Sequence, residues 1–214
     1  MIGYASVCNG RNLDALIEAG WGILFAPYNG EFGPQRRQFA SNPPTQYCID
    51  NGAWSQDGGD VFDPFRWLRL VGEMGHGAEF VVLPDIVGGG HDSLDRSLKW
   101  LRALRGTVRR VLIPAQNGIT PADLAPYLAD DVGVFLGGDT PYKLATLGAW
   151  GKVCREGGYY LHVGRVNSRH RINLCGNAGA HSYDGTNASI FGCHLPMLER
   201  ARAMSANQER LFNA

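Results

Sequence analysis

The stretch FVVLPDIVGGGHDSLDRSLKWLRALRGTVRRVLIPAQ, Phe80 to Gln116, decides the fold. It opens on an apolar run, FVVLPD, and closes on a second, RVLIPAQ. Neither run alternates apolar with polar residues, the pattern of a strand buried on both faces. Between them DSLDRSLKWLRALRG sets Leu94, Leu98, Leu101 and Leu104 on one helical face and stops at Gly106. The segment therefore predicts strand, helix, strand.

The same alternation extends in both directions. Strands are predicted over Ile2–Val7, Gly22–Pro27, Tyr47–Asp50, Phe80–Asp85, Arg110–Gln116, Val132–Gly138, Tyr159–Val166 and Ala180–Gly185. Helical patterns follow at NLDALIEAG, at Asp63–Met74, at TPADLAPYL and TPYKLATLGAW, and from Leu195 to Phe212. The two TP segments each offer a hydroxyl cap followed by proline in the first turn. Eight strands alternating with helices predict an α/β fold, a compact single-domain (β/α)8 TIM barrel over residues 1–214. A doubly wound open sheet is the alternative, weakened because no G-x-G-x-x-G follows the first strand.

Composition narrows the function. The chain has 214 residues, 44% of them hydrophobic, enough for one filled core. Its formal net charge is zero, which argues against a broad nucleic-acid footprint but leaves room for a local basic patch. The five cysteines form no CxxC pair, and no H-x-x-x-H or H-E-x-x-H occurs, so no metal and no cofactor are expected. The N-terminus does not read as a signal peptide and no run is long enough for a membrane span. A cytoplasmic location is the simplest expectation.

In a barrel the reacting groups stand at the C-terminal ends of the strands. Those ends carry Asp50, Asp85, Gln116, Gly137-Gly138-Asp139 and Asp184, while strand seven runs through His162 and Arg165. Asp139, before Thr140-Pro141, reads first as preparing a helix start. His162 and His181 read first as satisfied core histidines, and His91 as a loop residue. Gly88–Ser93 lacks a GK[ST] ending and reads as a flexible loop. The basic run Arg96, Lys99, Arg102, Arg105, Arg109 and Arg110 reads as a solvated outer face, whereas Arg165, Arg169 and Arg171 follow strand seven, where barrels often hold phosphate.

The ordered set of strand ends resembles the tRNA-guanine transglycosylase family, including its DNA-acting deazaguanine relatives. DNGAW at Asp50–Trp54 is similar to the family's DSGGF, LPDI to its strand-four aspartate block, and PAQNG to its VQG. LGGDT at Leu136–Thr140 is similar to GGLAVGE, and YDG at Tyr183–Gly185 to the nucleophile block FDC. The family's CxCxxC zinc site has no counterpart, and its usual barrel is far longer. That removes the usual support for the family's dimer and for its way of holding tRNA.

The resemblance implies roles. Asp184 would be the covalent nucleophile at the sugar C1′, and Asp50 the proton-transferring carboxylate. Asp85, Gln116, Gly137 and Gly138 would read a guanine-like edge, and Trp54 would offer a stacking face. Arg165, Arg169 and Arg171 would grip a nucleic-acid backbone. The implied partners are DNA or tRNA, with DNA favoured, and a free 7-deazaguanine-type base. A small-molecule nucleoside base-exchange enzyme or hydrolase, and a non-catalytic deazaguanine- or nucleic-acid-binding barrel, stay open, as does the oligomeric state.

Overall fold

The computed structural model describes residues 1–6, 10–27, 46–54 and 62–212. Eight strands close into a parallel barrel, each paired with its sequence neighbours and the last with the first. The strands are β1 (Ile2–Ser6), β2 (Gly22–Phe25), β3 (Tyr47–Ile49), β4 (Val81–Val82), β5 (Val111–Ala115), β6 (Val132–Leu136), β7 (Leu161–Val163) and β8 (Ser182–Gly185). The helices are α1 (Gly10–Glu18), α2 (Pro64–Met74), α3 (Gly90–Leu104), α4 (Pro121–Leu124), α5 (Thr140–Gly157), α6 (Arg169–Asn177), α7 (Asn187–Ile190) and α8 (Leu195–Phe212).

All eight expected strands are present, and the fold is the expected (β/α)8 barrel. Most are shorter than their apolar runs, because a ladder lasts only while both neighbours stay in register. β4 ends early: Leu83 N still donates to Leu112 O at 3.0 Å, but Pro84 has no N–H to continue. Residues expected between β2 and β3 (28–45), and the rest of the expected first strand beyond Ser6, lie outside the described residues.

Two apolar layers result from the period of two. Tyr4, Leu24, Cys48, Phe80, Val82, Leu112 and Tyr160 fill the barrel interior. The opposite faces pack outward, where Ile49, Leu83 and Ile113 join Leu16, Trp67, Leu70 and Trp150 from the helices. Trp67 and Trp150 are wholly buried, and truncating either to alanine should cost ~3–5 kcal/mol.

Asp139 prepares a helix start, as expected: it caps α5, its side chain accepting from Tyr142 N at 2.8 Å, and Thr140 falls inside the first turn, while Thr120 caps α4 as expected. At α4, Asp123 turns back to accept from Thr120 N and Thr120 Oγ1 at 2.8 and 2.7 Å. α6 was not expected. Its sequence, RHRINLCGN, has too weak an apolar stripe to announce a helix, yet Ser168 caps it and Ile172 and Cys175 anchor it. Gly90–Ser93 forms the first turn of α3 rather than a loop, so His91 is helical, and it stands 3.6 Å from Asp123.

The basic run has mixed duties. Arg105 pairs with Asp131, while Arg109 and Arg110 both reach Glu79, so these arginines tie elements together. The Arg105–Asp131 pair is exposed and adds little to stability. His181 is exposed, stacked on Tyr160 at 4.8 Å, and its Nδ1 accepts from Leu161 N.

Candidate active site

The interior parity that fills the barrel with Tyr4, Cys48, Leu112 and Tyr160 also decides what reaches its mouth. Two residues beyond Tyr4 stands Ser6, and two beyond Cys48 stands Asp50. Four beyond Leu112 comes Gln116, and two beyond Tyr160 comes His162. The register of β8 completes the ring, with Ser182 opposite His162 and Asp184 opposite Tyr4. One period-two pattern thus builds an apolar floor and a polar rim.

Asp184 is nearly buried, at 6% exposure, and is surrounded by donors. Ser6 Oγ donates to its Oδ2 at 3.2 Å, and Arg165 N to its Oδ1 at 3.3 Å. His162 Nε2 lies 3.0 Å from the same Oδ1, while His162 Nδ1 lies 2.8 Å from Ser182 Oγ. Tyr160 OH donates to Ser182 Oγ at 3.0 Å. A carboxylate can only accept, so Nε2 carries the proton toward Asp184. In the tautomer that protonates Nε2, Nδ1 accepts from Ser182, and Ser182 accepts from Tyr160. The chain Tyr160–Ser182–His162–Asp184 runs one way and fixes the carboxylate's orientation. The histidine is fully buried and satisfied, as expected, but its partner is a carboxylate on the rim. Sequence alone could not reveal that link, because it depends on the β7–β8 register.

Asp50 follows β3, and its backbone N donates to Phe25 O at 2.7 Å. Gly52, with φ of 72°, then turns the chain aside in the left-handed region that favours glycine. Burial pushes the Asp50 carboxyl up to about 7, reinforced by the nearby charges of Asp184 and Asp85 and opposed by the amides of Asn51 and Gly52.

Asp85 and Gln116 form the third feature. Gln116 Nε2 donates to Asp85 Oδ2, and Gly88 N donates to Gln116 Oε1 at 3.1 Å. Asn51 Nδ2 donates both to Asp85 Oδ1 at 2.9 Å and to Leu83 O at 2.7 Å. Arg96 Nη1 adds a bond to the Asp85 carbonyl at 3.2 Å. The result is an amide and a carboxylate side by side, bonded to each other and held from both flanks by Asn51 and Gly88.

Gly137 backs Gln116 closely: a β-carbon there would lie 2.7 Å from Gln116 Nε2. Gly138, at φ 74°, passes its carbonyl to Arg165 Nη2 at 2.6 Å. Trp54 stands exposed at the rim, with the Arg165 guanidinium 5.3 Å from its ring centre. Arg165 is the only non-glycine at positive φ among the described residues, at 57°. Strain of this kind concentrates at functional sites. Of the other two expected backbone-gripping residues, Arg171 is half-buried and lines a pocket on this face, whereas Arg169, exposed at the start of α6, does not line it.

The fold and this rim define a (β/α)8 barrel with a carboxylate-rich mouth. No family model matches the chain, and no curated protein matches it.

Proposed function

We propose that this protein is a base-exchange transglycosylase that replaces guanine by a 7-deazaguanine-type base in a polynucleotide, DNA before tRNA. The observation that carries the reading is the division of labour between two carboxylates at one mouth: Asp184 held by donors on several sides, and Asp50 pushed up to about 7. Carboxylates with such different surroundings suit a nucleophile and a proton donor. The Asp85–Gln116 pair supports it with a matching edge for a guanine-like base.

In this mechanism an Asp184 oxygen attacks C1′ as the bond from C1′ to the base nitrogen breaks. The bonding pair leaves with the base, which takes a proton from Asp50. Asp50, now a carboxylate, removes a proton from the ring nitrogen of the entering base. That nitrogen attacks C1′ and releases Asp184, so one base, one proton and one C–N bond are exchanged without net change. A base within a duplex would first be flipped out. No membrane-crossing helix occurs among the described residues, and a cytoplasmic setting goes with this reading.

The neutral net charge favours a second reading, exchange or hydrolysis on free nucleosides. Incubation with radiolabelled guanine and DNA, tRNA or deoxyguanosine separates the two. Label entering a polynucleotide, with loss in Asp184→Asn, is the expected result. Label entering only the nucleoside moves the assignment to the second reading, and label entering none of the three overturns exchange.

A further inference from the structure

A pocket of about 560 Å³ opens on the same face of the barrel, between the loops that follow β4, β5, β6 and β7. Its lining includes Lys143 of α5, Arg165 of the β7–α6 loop and Arg171 of α6, with the amides of Asn117 and Asn167 beside them. Lys143 is the unexpected member. Its side chain belongs to a helix with little apolar periodicity, yet the residue is only 8% exposed. Its ammonium donates to Gly164 O at 2.6 Å, which uses one of three N–H groups.

The charge around the pocket is unbalanced. Among the described residues, none of Lys143, Arg165 and Arg171 lies within ion-pairing distance of a carboxylate. The one acid in the lining, Asp139, caps α5 and accepts from Asn117 Nδ2 at 2.8 Å, and it feels the charges of Lys143 and Arg165 without pairing with either, which leaves three cations to one acid. Burial, reinforced by the charges of Arg165 and Arg171, lowers the Lys143 ammonium to about 8, while the Asp184 charge acts in the opposite direction. Three cations held together against their mutual repulsion form an arrangement that a bound anion would relieve.

We infer that this pocket is a phosphate-binding subsite in which Lys143, Arg165 and Arg171 hold a phosphate of a nucleotide while its sugar faces Asp184. The inference deepens the proposed function and rests on it for the nucleotide, though not for the anion. Arg165 joins the two sites: its backbone N meets Asp184 and its side chain lines the pocket. A phosphate bound there would fix the distance between backbone and reacting carbon, and would favour nucleotides over free nucleosides.

Calorimetric titration tests each part by itself. Pyrophosphate probes the anion site without a base, and guanine probes the base site without a phosphate. The wild-type protein should bind pyrophosphate, and Arg171→Ala and Lys143→Met should each weaken that binding by about tenfold or more, the scale of a lost charge-assisted contact. Pyrophosphate that fails to bind, or binds equally to wild type and to a folded Arg171→Ala, overturns this inference even if guanine binds. Failure of guanine to bind, with pyrophosphate binding intact, overturns the base-exchange reading instead. Two further ligands identify the phosphate. If deoxyguanosine 5′-monophosphate gains over deoxyguanosine in wild type only, the subsite takes a monoester. If only the trinucleotide d(TpGpT) gains, it takes a backbone diester. A gain for neither overturns the placement beside Asp184.

Discussion

His162 and Asp184 meet across adjacent strands, Nε2 to Oδ1 at 3.0 Å, with the histidine wholly buried. The contact comes from β7 and β8 lying in parallel register, with His162 opposite Ser182 and Asp184 one pleat further on. The pair is the rim end of a four-residue chain, so its disturbance should be felt at the proposed nucleophile rather than in the fold.

His162→Phe tests this. Phe80 and Phe135 already pack against the ring, at 4.9 and 5.0 Å between centroids, so a benzyl group should be accommodated. Removing a hydrogen bond to a charged group corresponds to about 1.5–3 kcal/mol, a slowing of roughly 10- to 100-fold. Single-turnover exchange should fall by that amount with KM little changed. An unaltered rate would reduce the histidine to a packing residue.

Asp184→Asn should abolish exchange, by about 10³-fold or more, while preserving the melting transition. Mass spectrometry of wild-type protein quenched with substrate should find a sugar adduct on Asp184. Residual exchange above about a tenth of wild type would remove Asp184 from the nucleophile's role.

Asp50 supplies a pH signature. The folded state favours its protonated form, so departure of the base should slow as pH rises through about 7. Stability follows the same sign. The carboxyl value is raised on folding, so its contribution is fully present below the unfolded value of about 4 and is lost as pH climbs through about 7. Asp50→Asn should therefore match wild type in stability at pH 4, exceed it by about 1–3 kcal/mol at pH 8, and exchange no base at either. Denaturant titrations at the two pH values check the sign, and equal gains at both would refute it.

Gly137→Ala should act through Gln116. The new methyl would stand 2.7 Å from Gln116 Nε2, too close for either to stay put. The amide would leave Asp85, and affinity for guanine should fall by about 10-fold or more. Calorimetry with guanine reads this directly. Undiminished binding would mean that the Asp85–Gln116 edge does not read the base.

Pyrophosphate should protect the fold better at pH 7 than at pH 9. Lys143 titrates near 8 among Arg165, Arg171, Asp184 and Cys175, and its charge is lost above that point. The rise in Tm given by pyrophosphate should shrink accordingly, because ligand stabilisation follows affinity. A rise independent of pH would exclude the lysine from the contact.

Much of this barrel was legible because its strands are buried on both faces and its helices are not. β5 and α3 show the contrast most clearly: the run around Leu112 is continuously apolar, and Leu94 to Leu104 recur at helical spacing. α6 was hidden because a polar helix held by Ile172 and Cys175 gives almost no periodic signal. At the rim, Asp50, Asp85, Gln116 and Asp184 could be picked out one by one, each at the end of a run. What joins them could not. Nothing in the sequence links the amide of Asn51 to Asp85, or the ammonium of Lys143 to the carbonyl of Gly164. Those links belong to register and closure, which a one-dimensional pattern does not contain.

The pairing of β8 with β1 has a temporal consequence. Asp184 lies opposite Tyr4, and its Oδ2 receives the hydroxyl of Ser6 from 178 positions earlier in the chain. Of all its contacts, those across this seam span the longest stretch of sequence and are the slowest kind to form. During synthesis Asp184 emerges 178 residues after Ser6, and its surroundings exist only after β1 has been recaptured by β8. A nascent chain that has not yet released β8 would therefore present the other rim residues without an oriented Asp184, and under the proposed mechanism would bind without reacting.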